Sequence, residues 1–157
     1  MLPWLLRIWR LLPYPPRLWY LRLRYGHFAV GLAALIQDER GRILLVRRTY
    51  SRDEPWALPG GWLERGDADI EGALERELRE ETGLRVGVGP ILAVEHAGFA
   101  VVLLLQTDLL DSIAQFRPSA EVSDVTWIEP SQLGAYSKFN ASLFERTSDA
   151  KRQAPRE

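Results

Sequence analysis

Residues 59–84 read PGGWLERGDADIEGALERELREETGL, and the second half carries apolar side chains at the spacing of an amphipathic helix. The apolar positions are Ile70, Ala73, Leu74 and Leu78. At about 100° per residue, Glu77 and Glu81 fall on the same face as these residues, and Glu80 falls at its edge. Clustered carboxylates repel one another, and a carboxylate taken out of water needs a paired charge or a metal ion. The helix therefore predicts a cation-binding site.

The opposite face of this helix carries ordinary solvent-facing charge, at Glu71, Glu75 and Arg79. An alternative for the acidic cluster is that its side chains reach water at the rim of the core and pair with Arg76 or Arg79. Two glutamates would have favoured that alternative. Three clustered glutamates favour the cation site.

The segment in front of the helix has the features of a loop that approaches other groups closely. Gly60 and Gly61 permit positive φ and close contact of the backbone. Asp69 is placed to cap the N-terminus of the helix, and Gly83 is placed to end it. The sequence thus predicts a loop, a capped helix and a carboxylate cluster in succession.

The segment from Gly61 to Leu84 resembles the signature box of the Nudix hydrolases, which reads Gly, five residues, Glu, seven residues, and then Arg-Glu-aliphatic-x-Glu-Glu-x-Gly-aliphatic. Residues 76–84, RELREETGL, fill every defined position of the closing half. Two features depart from the pattern: Asp67 replaces the first glutamate, and eight residues rather than seven separate it from Arg76. We expect the extra residue to lengthen the loop without rotating the helix face. We do not expect Asp67 to be a direct metal ligand.

The resemblance implies an α/β fold, a Nudix-like α/β/α sandwich with a mixed β-sheet between helices. An apolar run at residues 28–36, a turn at 38–41 and a second run at 43–46 are similar to the first hairpin of that sheet. Further strands and helices are predicted at 91–94, 99–105, 122–128, 130–133 and, capped by Ser137, about 138–146.

The resemblance also implies an activity, the metal-dependent hydrolysis of a diphosphate linkage in a nucleoside diphosphate joined to another moiety. Mg²⁺ or Mn²⁺ held by carboxylates would neutralise phosphate oxygens and activate water. The box implies Glu77, Glu80 and Glu81 as metal ligands and catalytic residues. Arg76 would anchor this cluster through a charged hydrogen bond. Glu121 either completes the metal site, serves as general base, or is a plain loop acid, and one of the box glutamates is an equal candidate for the base.

Substrate contacts are predicted in the strand end and the loop before the helix. Arg48, next to Arg47, is placed to hold a phosphate, with a solvated strand end as the alternative. Trp56 would either stack on a base or sugar or pack the loop, and the backbone of Gly60 and Gly61 would approach the substrate.

The identity of the substrate is left open by the sequence. Residues 97–101 carry neither the proline often found in family members that cleave ADP-ribose nor the tyrosine often found in those that cleave dinucleoside polyphosphates. His27 and His96 have no second histidine at ligand spacing and are interpreted as structural. A rival interpretation is a catalytically silent binding or regulatory module of the same fold, although such proteins generally have a damaged box.

Composition bounds the remaining classes of protein. The chain has 157 residues, a formal net charge of −1 and no cysteine. We expect one Nudix domain over residues 26–147 and a flexible tail at 148–157. The absence of cysteine excludes disulfides, thiol nucleophiles and zinc–thiolate sites, and is compatible with a cytoplasmic protein. The small net charge does not indicate a stable nucleic-acid partner, so a nucleotide-type small molecule is the expected partner.

The segment at residues 1–25 differs from the rest because it carries five arginines, six Trp and Tyr residues and no acidic residue. Apolar residues at helical spacing predict a short amphipathic helix that ends before Pro13; they are Trp4, Leu5, Ile8, Trp9 and Leu12. Arginines and prolines exclude a membrane span here, and no signal-peptide pattern is present. Four interpretations stay open: packing on the domain, a homodimer contact, weak contact with a membrane surface, and polyanion binding.

Overall fold

The computed structural model of the chain describes residues 29–153, with side chains described for residues 29–147. The arginine-rich segment at 1–25, His27 and residues 154–157 of the predicted tail lie outside the described residues. Over the range 29–153, no helix is both long enough and apolar enough to cross a bilayer.

Three strands, one helix, three strands and two helices follow one another along the described part of the chain. The strands are β1 (Ala29–Ile36), β2 (Ile43–Arg48), β3 (Trp56–Ala57), β4 (Val86–Ala97), β5 (Ala100–Leu109) and β6 (Val122–Ile128), and the helices are α1 (Ile70–Thr82), α2 (Leu133–Tyr136) and α3 (Lys138–Gln153). One sheet is mixed, in the order β1-β5-β4, with β1 parallel and β4 antiparallel to β5. The other is antiparallel, in the order β3-β2-β6.

The first two strands pair across their turn only at an isolated antiparallel bridge, Gln37↔Ile43, and not along their length as the expected hairpin would. β1 pairs with β5 from Ala29↔Ala100 onward, whereas β2 pairs with β3 and β6, so the two strands belong to different sheets. The predicted turn between them is present, because Asp38 Oδ1 accepts hydrogen bonds from the backbone amides of Arg40 and Arg42, at 3.0 and 2.8 Å. A turn fixes only the local chain direction, and the partner strand is chosen by contacts that are distant in sequence.

The core explains why β1 is apolar along its whole length. Leu32, Ala34 and Ile36 belong to one buried cluster, together with residues of α1. Ala33 and Leu35 belong to a second cluster, which includes Leu133 of α2 and Leu143 of α3. Because successive side chains of a strand point to opposite faces, β1 is buried on both sides, with α1 on one side and α2 and α3 on the other. The α/β class with a mixed sheet between helices is confirmed.

Helix α1 has the caps predicted from the sequence. Asp69 Oδ1 accepts a hydrogen bond from the amide of Gly72 at 2.7 Å, in the N-cap position. Gly83 has φ 71°, and its amide donates to the carbonyl of Arg79 at 2.9 Å, which ends the helix. Helix α3 begins at Lys138, as predicted, but continues to Gln153, beyond the predicted end near Arg146 and into the segment expected to be a flexible tail.

Candidate active site

The glycine loop before α1 is hydrogen-bonded along the edge of β1 that β5 leaves free. The amides of Leu32 and Ala34 donate to the carbonyls of Gly61 and Pro59, at 2.9 and 2.8 Å. Gly60 has φ 149°, and a Cβ there would lie 2.0 Å from the carbonyl oxygen of Leu32. A side chain at this position would therefore break the contact between the loop and the strand.

The same loop lies against the carboxylate of Glu77. A Cβ at Gly61 would lie 2.2 Å from Glu77 Cδ, so the absence of a side chain lets the carboxylate approach the loop backbone. The amide of Trp62 donates to Glu77 Oε1 at 3.3 Å, and Arg76 Nη1 donates to the same oxygen at 3.0 Å. Both of these donors bind one oxygen, which leaves Oε2 available to a ligand.

Arg76 is held in place by Asp67 through two hydrogen bonds. Arg76 Nε donates to Asp67 Oδ1 at 2.9 Å, and Arg76 Nη2 donates to Asp67 Oδ2 at 3.0 Å. This paired contact with Arg76 keeps the pKa of Asp67 below its usual value, and the amide of Glu64, 2.7 Å from Asp67 Oδ2, acts in the same direction. Asp67 therefore supports Arg76, which in turn holds Glu77.

A cavity of about 460 Å³ lies in front of α1 and the glycine loop. Four carboxylates line it, those of Glu54, Glu77, Glu81 and Glu121, and so does Arg48. Glu80 lies outside this lining, with its side chain 64% exposed and 3.5 Å from Arg76 Nη1. In the structure Glu77 and Glu81 face the cavity, as the angular positions on the helix predict. Glu80, which was predicted at the edge of that face, lies on the outer rim.

Glu81 is the most buried acidic residue of the helix, with 8% of its surface exposed. Burial raises the pKa of Glu81 to about 7, and the negative charge of Glu77 raises it further, whereas Arg48 opposes the shift. Glu81 also lines the cavity beside Glu77, so the two carboxylates face the same space. A largely buried carboxylate next to a second negative charge is the chemical environment that a cation stabilises.

The donor set agrees with a hard divalent cation. Over residues 29–153, no group of three or more His, Asp or Glu side chains forms a ready-made metal cage. Mg²⁺ does not require one, because it keeps several waters and binds proteins through one or two carboxylates together with substrate phosphates. The free oxygen of Glu77 and the carboxylate of Glu81 would supply such oxygen ligands on one wall of the cavity.

Arg48 and Glu121 are brought to the cavity by the pairing of β2 with β6. The register of this pairing shifts between Arg47 and Arg48, so that Arg48 lies opposite Val122. Just beyond, the hydroxyl of Thr49 donates to the carbonyl of Ala120 at 2.7 Å, and the amide of Thr49 donates to the carbonyl of Glu121 at 2.8 Å. The charges of Arg48 and Glu121 both act on Glu81, which places the three side chains in one electrostatic environment.

Two aromatic predictions differ in their outcome. Trp56 does not line the cavity; its ring packs edge-on against Tyr136, with centroids 6.4 Å apart, as the loop-packing alternative has it. Trp62 and Phe99 do line the cavity, and the sequence interpretation assigned no role to either. Trp62 directly follows the two glycines, which was a signal for its position. Phe99 carried no signal, because it stood in an apolar run interpreted as a strand.

Known proteins resemble this chain in both sequence and structure. The family model described as NUDIX domain matches residues 27–148. A MutT-like protein of Streptomyces ambofaciens is 33% identical over 105 residues, which cover 67% of this chain and 66% of that protein. An ADP-ribose pyrophosphatase of Methanocaldococcus jannaschii is 37% identical over 70 residues, 45% of this chain and 41% of that protein. The chain thus spans less than two thirds of the length of these two relatives.

Solved structures share the fold at lower sequence identity. A UDP-X diphosphatase aligns with a TM-score of 0.68 and 24% identity, over 92% of this chain and 73% of that chain. The E. coli ORF135 protein aligns with a TM-score of 0.63 and 24% identity, over 83% of this chain and 96% of that chain. These likenesses concern the fold alone. With its fold, its capped carboxylate helix and the match over residues 27–148, the chain belongs to the NUDIX domain family.

Proposed function

We propose that this protein is a Mg²⁺- or Mn²⁺-dependent pyrophosphohydrolase that cleaves the diphosphate linkage of a nucleoside diphosphate joined to another moiety. The observation that carries the proposal is the pair formed in one cavity by Glu81, a largely buried residue, and the free oxygen of Glu77. Two similar proteins, an ADP-ribose pyrophosphatase and a UDP-X diphosphatase, carry names that refer to substrates with a diphosphate linkage, which supports this choice.

The proposed reaction is the attack of water on one phosphorus of the linkage. A bond forms between the water oxygen and that phosphorus, the bond to the bridging oxygen breaks, and the second phosphate leaves with the bridging oxygen. A bound divalent cation would supply charge neutralisation of phosphate oxygens and a lower pKa for its water. Glu77 and Glu81 would hold that cation, with Glu80 at the rim as a third ligand.

The remaining side chains have separate tasks in this proposal. Arg48 faces the same cavity and would bind a phosphate of the substrate through its planar guanidinium group. Glu121, held at the start of β6, would accept the proton of the attacking water. Arg76 would not touch the substrate, because its hydrogen bonds are used by Asp67, Glu77 and the carbonyl of Trp62.

A panel of nucleoside diphosphate derivatives assayed with each metal tests the proposal. We expect turnover of at least one compound, with release of two phosphate monoesters. Glu77→Gln, Glu80→Gln and Glu81→Gln should each lower kcat/KM by about tenfold or more, which is about 1.4 kcal/mol of transition-state stabilisation. Glu75→Gln is the matched control on the same helix, because Glu75 lies on the helix face opposite Glu77 and Glu81 and is no part of the proposed ligand set. The absence of turnover with either metal, in folded protein, would contradict the proposal.

A further inference from the structure

Two large aromatic side chains are left exposed at the cavity. Trp62 is 47% exposed and Phe99 is 71% exposed, and both line the cavity. Their rings are tilted by 32° to each other, with centroids 6.1 Å apart. Apolar rings that remain in water next to an acidic site are available for contact with a ligand.

The backbone fixes the position of both rings. Trp62 forms an antiparallel bridge with Gly31 of β1, and its amide binds Glu77 Oε1. The amide of Ala29 donates to the carbonyl of Phe99 at 3.0 Å, at the point where β1 and β5 begin to pair. The rings therefore belong to the sheet and its adjoining loop and need no ligand to be brought together.

The indole ring lies over Gly31. A Cβ at Gly31 would lie 3.4 Å from Cζ3 of Trp62, an ordinary contact distance, and 3.2 Å from Cγ2 of Val102. The ring therefore lies close over the strand, beside an apolar neighbour. The resulting surface, formed by Trp62 and Phe99 and here named the aromatic platform, offers ring faces and no charged group.

We propose that the aromatic platform binds a planar ring of the substrate, the nucleobase, by stacking. This inference rests on the proposed function, since it assigns the part of the substrate that the carboxylates do not hold. The platform adjoins the acidic site, because the backbone amide of Trp62 contacts Glu77 while the side chain of the same residue forms part of the platform. A nucleoside whose diphosphate lies at Glu77 and Glu81 has its base within reach of these rings.

Stacking has a consequence for specificity. Every base has a π face, so stacking on aromatic side chains tolerates changes of base, whereas hydrogen bonding to base edges does not. The platform therefore adds affinity for adenine and guanine derivatives to a similar extent and less for uracil derivatives, which present a smaller ring. A diphosphate that has no base gains nothing from it.

Calorimetric binding to the full chain with Mg²⁺ separates the two parts of the ligand. The probes are α,β-methylene-ADP and methylenediphosphonate, which share a bridge that cannot be hydrolysed and differ by the nucleoside. In the parent protein, the nucleotide analogue should bind more tightly. Trp62→Ala should weaken binding of the nucleotide analogue by about tenfold, or about 1.4 kcal/mol. The same change should leave binding of methylenediphosphonate within about twofold, and Trp62→Phe should restore most of the lost affinity.

Two control variants sharpen the interpretation. Leu110→Ala removes another exposed apolar side chain, 62% exposed, just past the far end of β5. Leu110 is eleven residues from Phe99, which is roughly 36 Å in an extended strand, so the change should alter neither affinity. Phe139→Ala removes an aromatic ring from another part of the cavity lining. The proposal is overturned if Trp62→Ala weakens both probes equally, or if Phe139→Ala removes the preference for the nucleotide and Trp62→Ala does not.

Failure of the platform and failure of the proposed function give different results. If no diphosphate compound is hydrolysed and the nucleoside-dependent loss in Trp62→Ala is nevertheless observed, the platform stands and the activity is refuted. If hydrolysis is observed and Trp62→Ala binds the nucleotide analogue as tightly as the parent, the activity stands and the platform is refuted.

Discussion

Replacement of Glu81 by glutamine should make the metal-free protein more stable at alkaline pH. Glu81 is largely buried, and its carboxylate is close enough to Glu77 to be repelled by it. Glutamine has nearly the same shape and no charge. The variant therefore removes a cost that the folded protein bears only when Glu81 is ionised.

The size of the effect follows from the two pKa values. The pKa of Glu81 rises from 4.5 to about 7 on folding, chiefly through burial. Between these values the folded state binds more protons than the unfolded state, so the free energy of unfolding falls as pH rises and stays lower above pH 7. At about 1.36 kcal/mol per pH unit, the upper limit of this loss is about 3 kcal/mol. Water in the cavity screens the charge, so we expect about 1–3 kcal/mol.

Urea unfolding in EDTA at pH 5 and pH 8 measures this effect. The stability of Glu81→Gln relative to the parent should increase by about 1–3 kcal/mol between the two pH values. Glu80→Gln, at an exposed position on the same helix, is the control and should change much less. Added Mg²⁺ should then stabilise the parent more than Glu81→Gln. If Glu81→Gln changes the free energy of unfolding equally at both pH values, ionisation of Glu81 does not destabilise the folded protein.

Three further predictions concern the loop, its anchor and the start of the chain. Gly61→Ala places a methyl group against the carboxylate of Glu77. The variant should lose about 1–3 kcal/mol of stability in thermal unfolding and at least tenfold in kcat. Parent-like stability and kcat would show that the close approach of loop and carboxylate is unimportant. Asp67→Asn should lower kcat about tenfold by releasing Arg76, whereas Asp111→Asn, which breaks the remote ion pair with Arg85, should not; equal losses would refute a local role. Deletion of residues 1–25 should cause loss of solubility or a change of oligomeric mass by light scattering. A truncated chain with unchanged mass and activity, together with binding of the full chain to anionic liposomes, would instead favour the membrane-surface interpretation.

Features set by neighbouring residues could be predicted from the sequence, and α1 shows why. Its caps at Asp69 and Gly83 lie within four residues of the groups that they bind, and the angular pattern depends only on the helix period. The inward positions of Glu77 and Glu81 follow from the same period. The exposure of Glu80 could not be predicted, because the pattern placed this residue at the edge of the apolar face. At that edge, contacts with the neighbouring loop determine how much of the side chain is exposed.

Features that depend on distant contacts could not be predicted. The parallel pairing of β1 with β5 joins Ala29 to Ala100, and nothing in the local sequence of either strand identifies the other. The platform is a further example, since Trp62 and Phe99 meet only because both adjoin the same end of β1. The role of Asp67 could not be predicted for a related reason. The sequence shows that the loop has one extra residue, but it does not show that the loop brings Asp67 to Arg76.

The attachment of the glycine loop to β1 supplies a way to follow the active site without any substrate. The backbone amides of Leu32 and Ala34 are bound by carbonyls of the loop, at Gly61 and Pro59. Each of these amides can exchange its hydrogen with solvent only when the loop detaches from the strand or the domain unfolds. Their exchange rates, compared with those of core amides and measured with and without Mg²⁺, thus report how often the loop leaves the strand and whether the metal keeps it there.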